Sequence, residues 1–277
     1  MTPLSGLVAR VRQRVVREVE NRRSTPAAAQ SPVPTPRSSG PRRYVLVVTY
    51  GRSGSTLVQG LLNTLPRTLV RGESNLWLLH HFRAWQKVRE FRALHLRHNP
   101  RAAQSAFYGL QHVRPKAMVQ STRLLALDSL LGDEEREDVD VLGFKEVTWH
   151  RATTAEHAEL ADYLDRVFPG CLYVLNGRDH EHLYGSGFWK GSDRTSVDAK
   201  IRRTEQLQEH LRTSRPDRTL DVRYERLTSA DPDVVDTELT AIAEFVHGSC
   251  PAELLDALRT TLRVGHGPYP FGTSRRD

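Results

Sequence analysis

Apolar positions along this chain fall into short continuous runs separated by stretches with helical spacing. Residues 44–48, YVLVV, form the first run, and Leu57, Gly60, Leu61 and Leu62 follow at helical intervals, so a strand leading into a helix is predicted. Residues 68–70 make a second short strand and residues 141–146 a third. Residues 154–168 read as an amphipathic helix with Leu160, Leu164 and Val167 on its apolar side, stopped by Pro169-Gly170. The run CLYVL at 171–175 has no polar alternation, which predicts a strand buried on both faces. A long polar helix over 194–213, a strand from Leu220 towards Leu227, and closing helices over 234–246 and 251–262 complete the pattern. Strands alternating with helices predict an α/β fold with a central parallel sheet. Between the second and third strands, Trp77, His81 and Trp85 share a helical face within an aromatic- and histidine-rich segment, a pattern that fits either core packing or an aromatic-lined acceptor site.

Upstream, Leu4, Leu7, Val8, Val11, Val15 and Val19 recur at helical spacing among arginines, and a segment rich in Pro, Ser and Ala follows. Residues 1–43 are therefore expected to be a basic amphipathic helix on a flexible arm, and residues 44–277 one α/β domain. The helix's small aliphatics without aromatic anchors fit a solvated or partner-packed helix, and at most weak peripheral contact with a membrane. Arginines interrupt any secretory apolar core, and no run reaches the length of a membrane span.

Composition narrows the function. The 277 residues carry a formal charge of +7, and residues 1–43 hold nine arginines against Glu18 and Glu20, so the rest is balanced. A neutral body with a basic tail is not the broad basic face that nucleic-acid binding needs. Two distant cysteines, Cys171 and Cys250, argue against a disulfide framework and for a reducing cytoplasm; no histidine pattern suggests a metal. The oligomeric state is left open.

The candidate chemistry starts after the first strand, at Gly51-Arg52-Ser53-Gly54-Ser55-Thr56. Two glycines permit a tight turn and close approach to a ligand, the new helix offers unpaired N–H groups, Arg52 adds charge, and three hydroxyls add donors. A phosphate or sulfate ester is the expected guest, although a Gly/Ser-rich turn without a ligand has the same composition. The loop lacks the lysine of G-x-x-x-x-G-K-[ST], and no apolar strand ends in a magnesium-holding aspartate. Glu73, just past the second strand, is placed either as a base facing a pocket or as a first-turn acid for the next helix. Lys145 closes the third strand with a cation. After the buried strand, Arg178 is placed as a phosphate fork, with Ser186 eight residues on, where a helix can return its hydroxyl to the guanidinium.

This loop resembles the 5′-phosphosulfate loop of sulfotransferases that use 3′-phosphoadenosine-5′-phosphosulfate (PAPS), notably the GRSGST form of carbohydrate sulfotransferases. Arg178-Asp179 with Ser186 is similar to that family's 3′-phosphate grip, although His180 stands where the family has proline. Tyr224-Glu225 resembles the family's Tyr-Glu element, whose tyrosine lies against adenine. The family's terminal Arg-Lys-Gly clamp is not recognisable. The resemblance implies a three-layer P-loop-like fold and in-line transfer of a sulfuryl group from PAPS to an acceptor hydroxyl, without a metal and leaving 3′-phosphoadenosine 5′-phosphate. It implies Gly51, Arg52, Ser53, Gly54, Ser55 and Thr56 at the 5′ end, Arg178 and Ser186 at the 3′-phosphate, and Tyr224 at adenine. Glu73 becomes the base, with His81 or His80 as the fallback, and Lys145 a cation near the transferred group. The acceptor is expected to be a sugar, glycolipid or natural-product hydroxyl. A kinase-like phosphotransferase using ATP and magnesium, and a non-catalytic binding module on the same fold, are the alternatives.

Overall fold

A computed structural model describes residue 41 and residues 43–132, 138–184, 189 and 191–264. The basic arm expected over residues 1–43 falls almost entirely outside them, as does Ser186. Strands β1 (Arg43–Val48), β2 (Thr68–Arg71), β3 (Val141–Glu146), β4 (Leu172–Gly177) and β5 (Thr219–Arg223) form one parallel sheet in the order β2-β3-β1-β4-β5. The helices are α1 (Ser55–Thr64), α2 (Trp77–His95), α3 (Pro115–Leu131), α4 (His157–Val167), α5 (Arg194–Ser214), the single turn α6 (Tyr224–Leu227), α7 (Pro232–His247) and α8 (Ala252–Val264).

Alternation along β1 divides the core. Tyr44, Leu46 and Val48 pack with α2, α3, α4 and α5, through residues such as Phe82, Trp85, Leu164 and Leu207. Val45 and Val47 face α1, α7 and α8, meeting Leu57, Leu61, Ile242 and Leu258. The result is helix, sheet, helix, the arrangement that buries both faces of a parallel sheet. Residues 44–48 all lie in the core, which explains their unbroken apolar run.

The chain leaves β1 for the edge strand β2, returns to β3 beside β1, then crosses to β4 on β1's other side. That reversal opens a crevice beyond the carboxyl ends of β1, β3 and β4, the place where open α/β sheets bind ligands.

Several boundaries differ from the sequence reading. The helix expected over 154–168 opens as a 3₁₀ turn, Thr154–Glu156, because Thr153 and Glu156 form a capping box there; α4 begins only at His157. The central buried strand runs on to Gly177, since Asn176 and Gly177 still pair with Val222 and Arg223. Tyr224 opens α6 instead of ending β5. Among the described residues, no helix is long and apolar enough to cross a membrane.

Candidate active site

The anion loop is built from alternating backbone conformations. Arg52 has φ 69° and Gly54 φ 82°, both left-handed, on either side of Ser53. Such alternation curls successive N–H groups toward one centre. Gly54 is the cap of α1, no side chain caps that end, and its first turn holds no acid. The helix therefore presents unpaired donors and the positive end of its dipole to the crevice. Glycine is favoured at 54 by its φ, and a Cβ there would run into the Tyr224 ring.

Below the loop, a buried polar network fixes it to the sheet. The Thr49 hydroxyl lies 2.6 Å from Ser53 Oγ and 3.0 Å from the Asn176 carbonyl, while Gln208 donates to the carbonyls of Val48 and Asn176. Ser53 is fully buried, so its hydroxyl is spent on Thr49 and only its backbone is available to a ligand. Trp189 Nε1 donates to the Gly51 carbonyl at 3.1 Å and braces the loop from outside.

Arg178 leaves the end of β4 toward the same crevice. Tyr50 sets its backbone: the phenol accepts from Arg178 N and donates to Arg178 O, each at 2.9 Å. Burial pushes the Tyr50 pKa up to about 12, so the hydroxyl keeps the proton that the second bond needs. The Arg178 guanidinium carbon sits 4.1 Å from the centre of the Tyr224 ring, and Nη1 donates to the Arg52 carbonyl at 3.3 Å. Its Nε is buried without a protein partner. Glu225 accepts from Asp179 N at 2.8 Å, and Glu238 accepts from Arg223 N and Arg226 Nε, so the Tyr-Glu turn holds the Arg-Asp turn in place.

Glu73 and Lys145 meet across the crevice, with Lys145 Nζ donating to Glu73 Oε1 at 2.5 Å. The lysine side chain is 6% exposed and the glutamate 46%. The pair is held by Glu146, whose fully buried carboxylate accepts from the backbone N–H of Ser74, Leu76, Val147 and Thr148 and from the Thr148 hydroxyl. Asn75 and Leu76 are left-handed, at φ 59° and 51°, a conformation that costs a bulky residue about 1–3 kcal/mol and that this clamp offsets.

Several of these groups line one cavity of about 570 Å³, while Ser53 and Lys145 lie behind its wall. Gly51, Arg52, Gly54, Ser55 and Thr56 line it, together with Glu73, Arg178 and Tyr224. Apolar wall comes from Leu57, Val147, Leu227, Val235 and Leu262, and Arg263 adds a third cation. His81 is elsewhere: its Nδ1 lies 3.2 Å from the Thr122 hydroxyl and its ring is edge-on to Trp77. None of the aromatic side chains between residues 77 and 112 lines the cavity. Phe82 and Trp85 are core, so helical packing accounts for their spacing. Among the described residues, no three His, Cys, Asp or Glu side chains are grouped to hold a metal ion.

The sequence profile of the sulfotransferase family matches residues 45–246, spanning the anion loop, Glu73, Arg178 and Tyr224. The chain belongs to the sulfotransferase family. Among solved structures, this sulfotransferase is similar to the sulfotransferase domain from the Synechococcus PCC 7002 olefin synthase, at 20% identity over 79% of this chain and 78% of that one, with a TM-score of 0.47. No curated protein gives a significant match.

The sulfotransferase's supporting residues are the ones that sequence reasoning missed. Glu146 carried a signal, a carboxylate at the end of a buried strand, where ionised groups need several donors. Tyr50, Asn176 and Trp189 carried none, because each serves the site through a contact distant in sequence.

Proposed function

We propose that this sulfotransferase moves a sulfuryl group from PAPS to a hydroxyl of a small-molecule or glycan acceptor, with Glu73 as general base. One observation carries the reading: two arginines, Arg52 and Arg178, and the uncapped start of α1 share a single cavity with one carboxylate, Glu73. Arg52 and the loop N–H groups suit the 5′-phosphosulfate, and Arg178, with an unpartnered Nε, suits the 3′-phosphate. Ser186 remains the proposed second ligand there. Tyr224, already stacked on Arg178, forms the side of the cavity toward adenine.

Glu73 takes the proton from the acceptor hydroxyl as the oxygen–sulfur bond forms. The bond from sulfur to the bridging oxygen breaks, and Arg52 and the loop N–H groups stabilise the charge that collects on the 5′-phosphate. Lys145, bonded to Glu73, passes to the sulfuryl oxygens in this reading, which frees the carboxylate for its proton. His81, bonded to Thr122 and off the cavity wall, is not used.

Calorimetric titration with 3′-phosphoadenosine 5′-phosphate, and separately with ATP plus magnesium, tests the donor assignment. Selective binding of the bisphosphate, weakened by about 1.5–3 kcal/mol in Arg178→Ala, is the expected result. Preference for ATP and magnesium, or equal affinity in the variant, overturns it.

A further inference from the structure

The balance of charge over residues 44–277, thirty-one basic and thirty-one acidic side chains, conceals a sharp division. Residues 74–127 hold nine Lys and Arg against a single acid, Glu90, so the rest of the domain carries the excess of acids. Part of that basic charge is internally committed. Arg83 pairs with Glu156, Arg89 with Glu159 and Lys87 with Glu90, while Arg92 and Arg123 donate to backbone carbonyls.

The remainder is not. Arg97, Arg101 and Arg114 are exposed in the excursion that joins α2 to α3 and Lys116 in the first turn of α3, in a stretch with no acid between Glu90 and Asp128. The excursion is folded against the end of α2. Arg92 Nη1 donates to the carbonyls of Leu110 and Val113, and the Phe107 ring stacks on His95 at 4.3 Å. In the same stretch, Phe91 and Leu94 at the end of α2 and Leu96, Tyr108 and Val113 in the excursion are exposed, Leu94 at 56% and Tyr108 at 63%.

We propose that this excursion, with the end of α2 and the start of α3, docks the enzyme on an anionic phospholipid surface. Four free cations complement lipid phosphates, each strengthening binding about fivefold near such a surface. The apolar side chains among them decide the kind of partner. Leucine, valine and phenylalanine at this density gain nothing from a nucleic-acid backbone, but leave water when set into the headgroup and acyl boundary. Long Arg and Lys stems let the charges stay with the phosphates while the apolar groups descend.

Sedimentation of the full chain with vesicles of phosphatidylglycerol and phosphatidylcholine, against phosphatidylcholine alone, tests the proposal. The quadruple variant Arg97→Ser/Arg101→Ser/Arg114→Ser/Lys116→Ser and the triple variant Phe91→Ser/Leu94→Ser/Tyr108→Ser keep the basic N-terminal segment, so any difference from the parent reads this surface alone. Thermal midpoints equal to the parent's establish that both are folded. Preference for anionic vesicles, with partitioning reduced about tenfold or more in each variant, is the result expected. Binding unchanged in both variants assigns the attachment to the N-terminal segment and overturns the proposal. Loss in the quadruple variant alone overturns it as well, since a purely ionic contact is what an acidic protein or polymer would make.

Discussion

Glu73 is the general base of the proposed reaction, and its pairing with Lys145 makes that proposal testable. A carboxylate in contact with a nearly buried ammonium has its charge well balanced before the acceptor arrives. Glu73→Gln keeps the size of the side chain and removes the proton acceptor. Turnover is expected to fall roughly 10²- to 10⁴-fold, with affinity for 3′-phosphoadenosine 5′-phosphate unchanged, because Arg52 and Arg178, the proposed nucleotide ligands, are untouched. His81→Ala, which alters a contact with Thr122 away from the cavity, is expected to keep most of its activity. Retained turnover in the glutamine variant together with loss in the alanine variant would reverse the assignment of the base.

The 3₁₀ turn ahead of α4 is an element whose stability depends on pH in a predictable sense. Arg83 grips Glu156 with two hydrogen bonds, at 2.7 and 2.9 Å, and Thr153 adds its N–H and hydroxyl. The Arg83 bond above all lowers the Glu156 pKa from an ordinary 4.5 to about 2. A depressed carboxylate stabilises the fold fully above its unfolded pKa, so this contribution is present above about pH 4.5 and is lost as pH falls toward 2. Urea unfolding of Glu156→Gln should therefore give a lower midpoint than the parent at pH 6.5, with the gap closing by about pH 2.5. A gap constant across that range would show that the ion pair contributes nothing. This element also marks where the sequence stops being legible. The apolar run of β1, the periodicity of α4 and the unalternating β4 were readable because burial on a regular element imposes a local pattern. The Thr153–Glu156 capping box that shifted the helix start is itself a local pattern, but the grip that lowers the Glu156 pKa comes from an arginine seventy-three positions away. In the site, Arg52 and Arg178 were readable as charges at strand ends. The Tyr50 bridge to Arg178 was not, nor was the reach of Glu146 to Ser74 and Leu76, because only the order of strands brings those partners together.

Across the whole molecule, the cavity joins segments that are far apart in the chain: residues 51–56, Arg178, the turn after β5, and the end of α8. The α8 wall is itself tied to α1, where the Thr64 and Thr261 hydroxyls lie 2.8 Å apart. A ligand that bridges Arg52, Arg178 and Tyr224 thus binds only when the loops at the ends of β1, β4 and β5 and the layer of α1, α7 and α8 are in place, and an unfolded chain offers it nothing equivalent. Linkage then converts affinity into global stability, about 2.7 kcal/mol at a ligand concentration one hundred times the Kd. For a domain of this size, each kcal/mol raises the Tm by about 2–4 °C, so saturating 3′-phosphoadenosine 5′-phosphate should raise it by roughly 5–10 °C. ATP with magnesium at the same concentration should give a smaller rise, and Arg178→Ala should flatten the response to the bisphosphate without lowering the ligand-free Tm, since among the described residues that side chain's polar and ring contacts are the Tyr224 ring and the Arg52 carbonyl. An equal rise with both nucleotides would mean that the cavity reads the adenosine and the 5′ phosphates alone, and that Arg178 does not select for a 3′-phosphate.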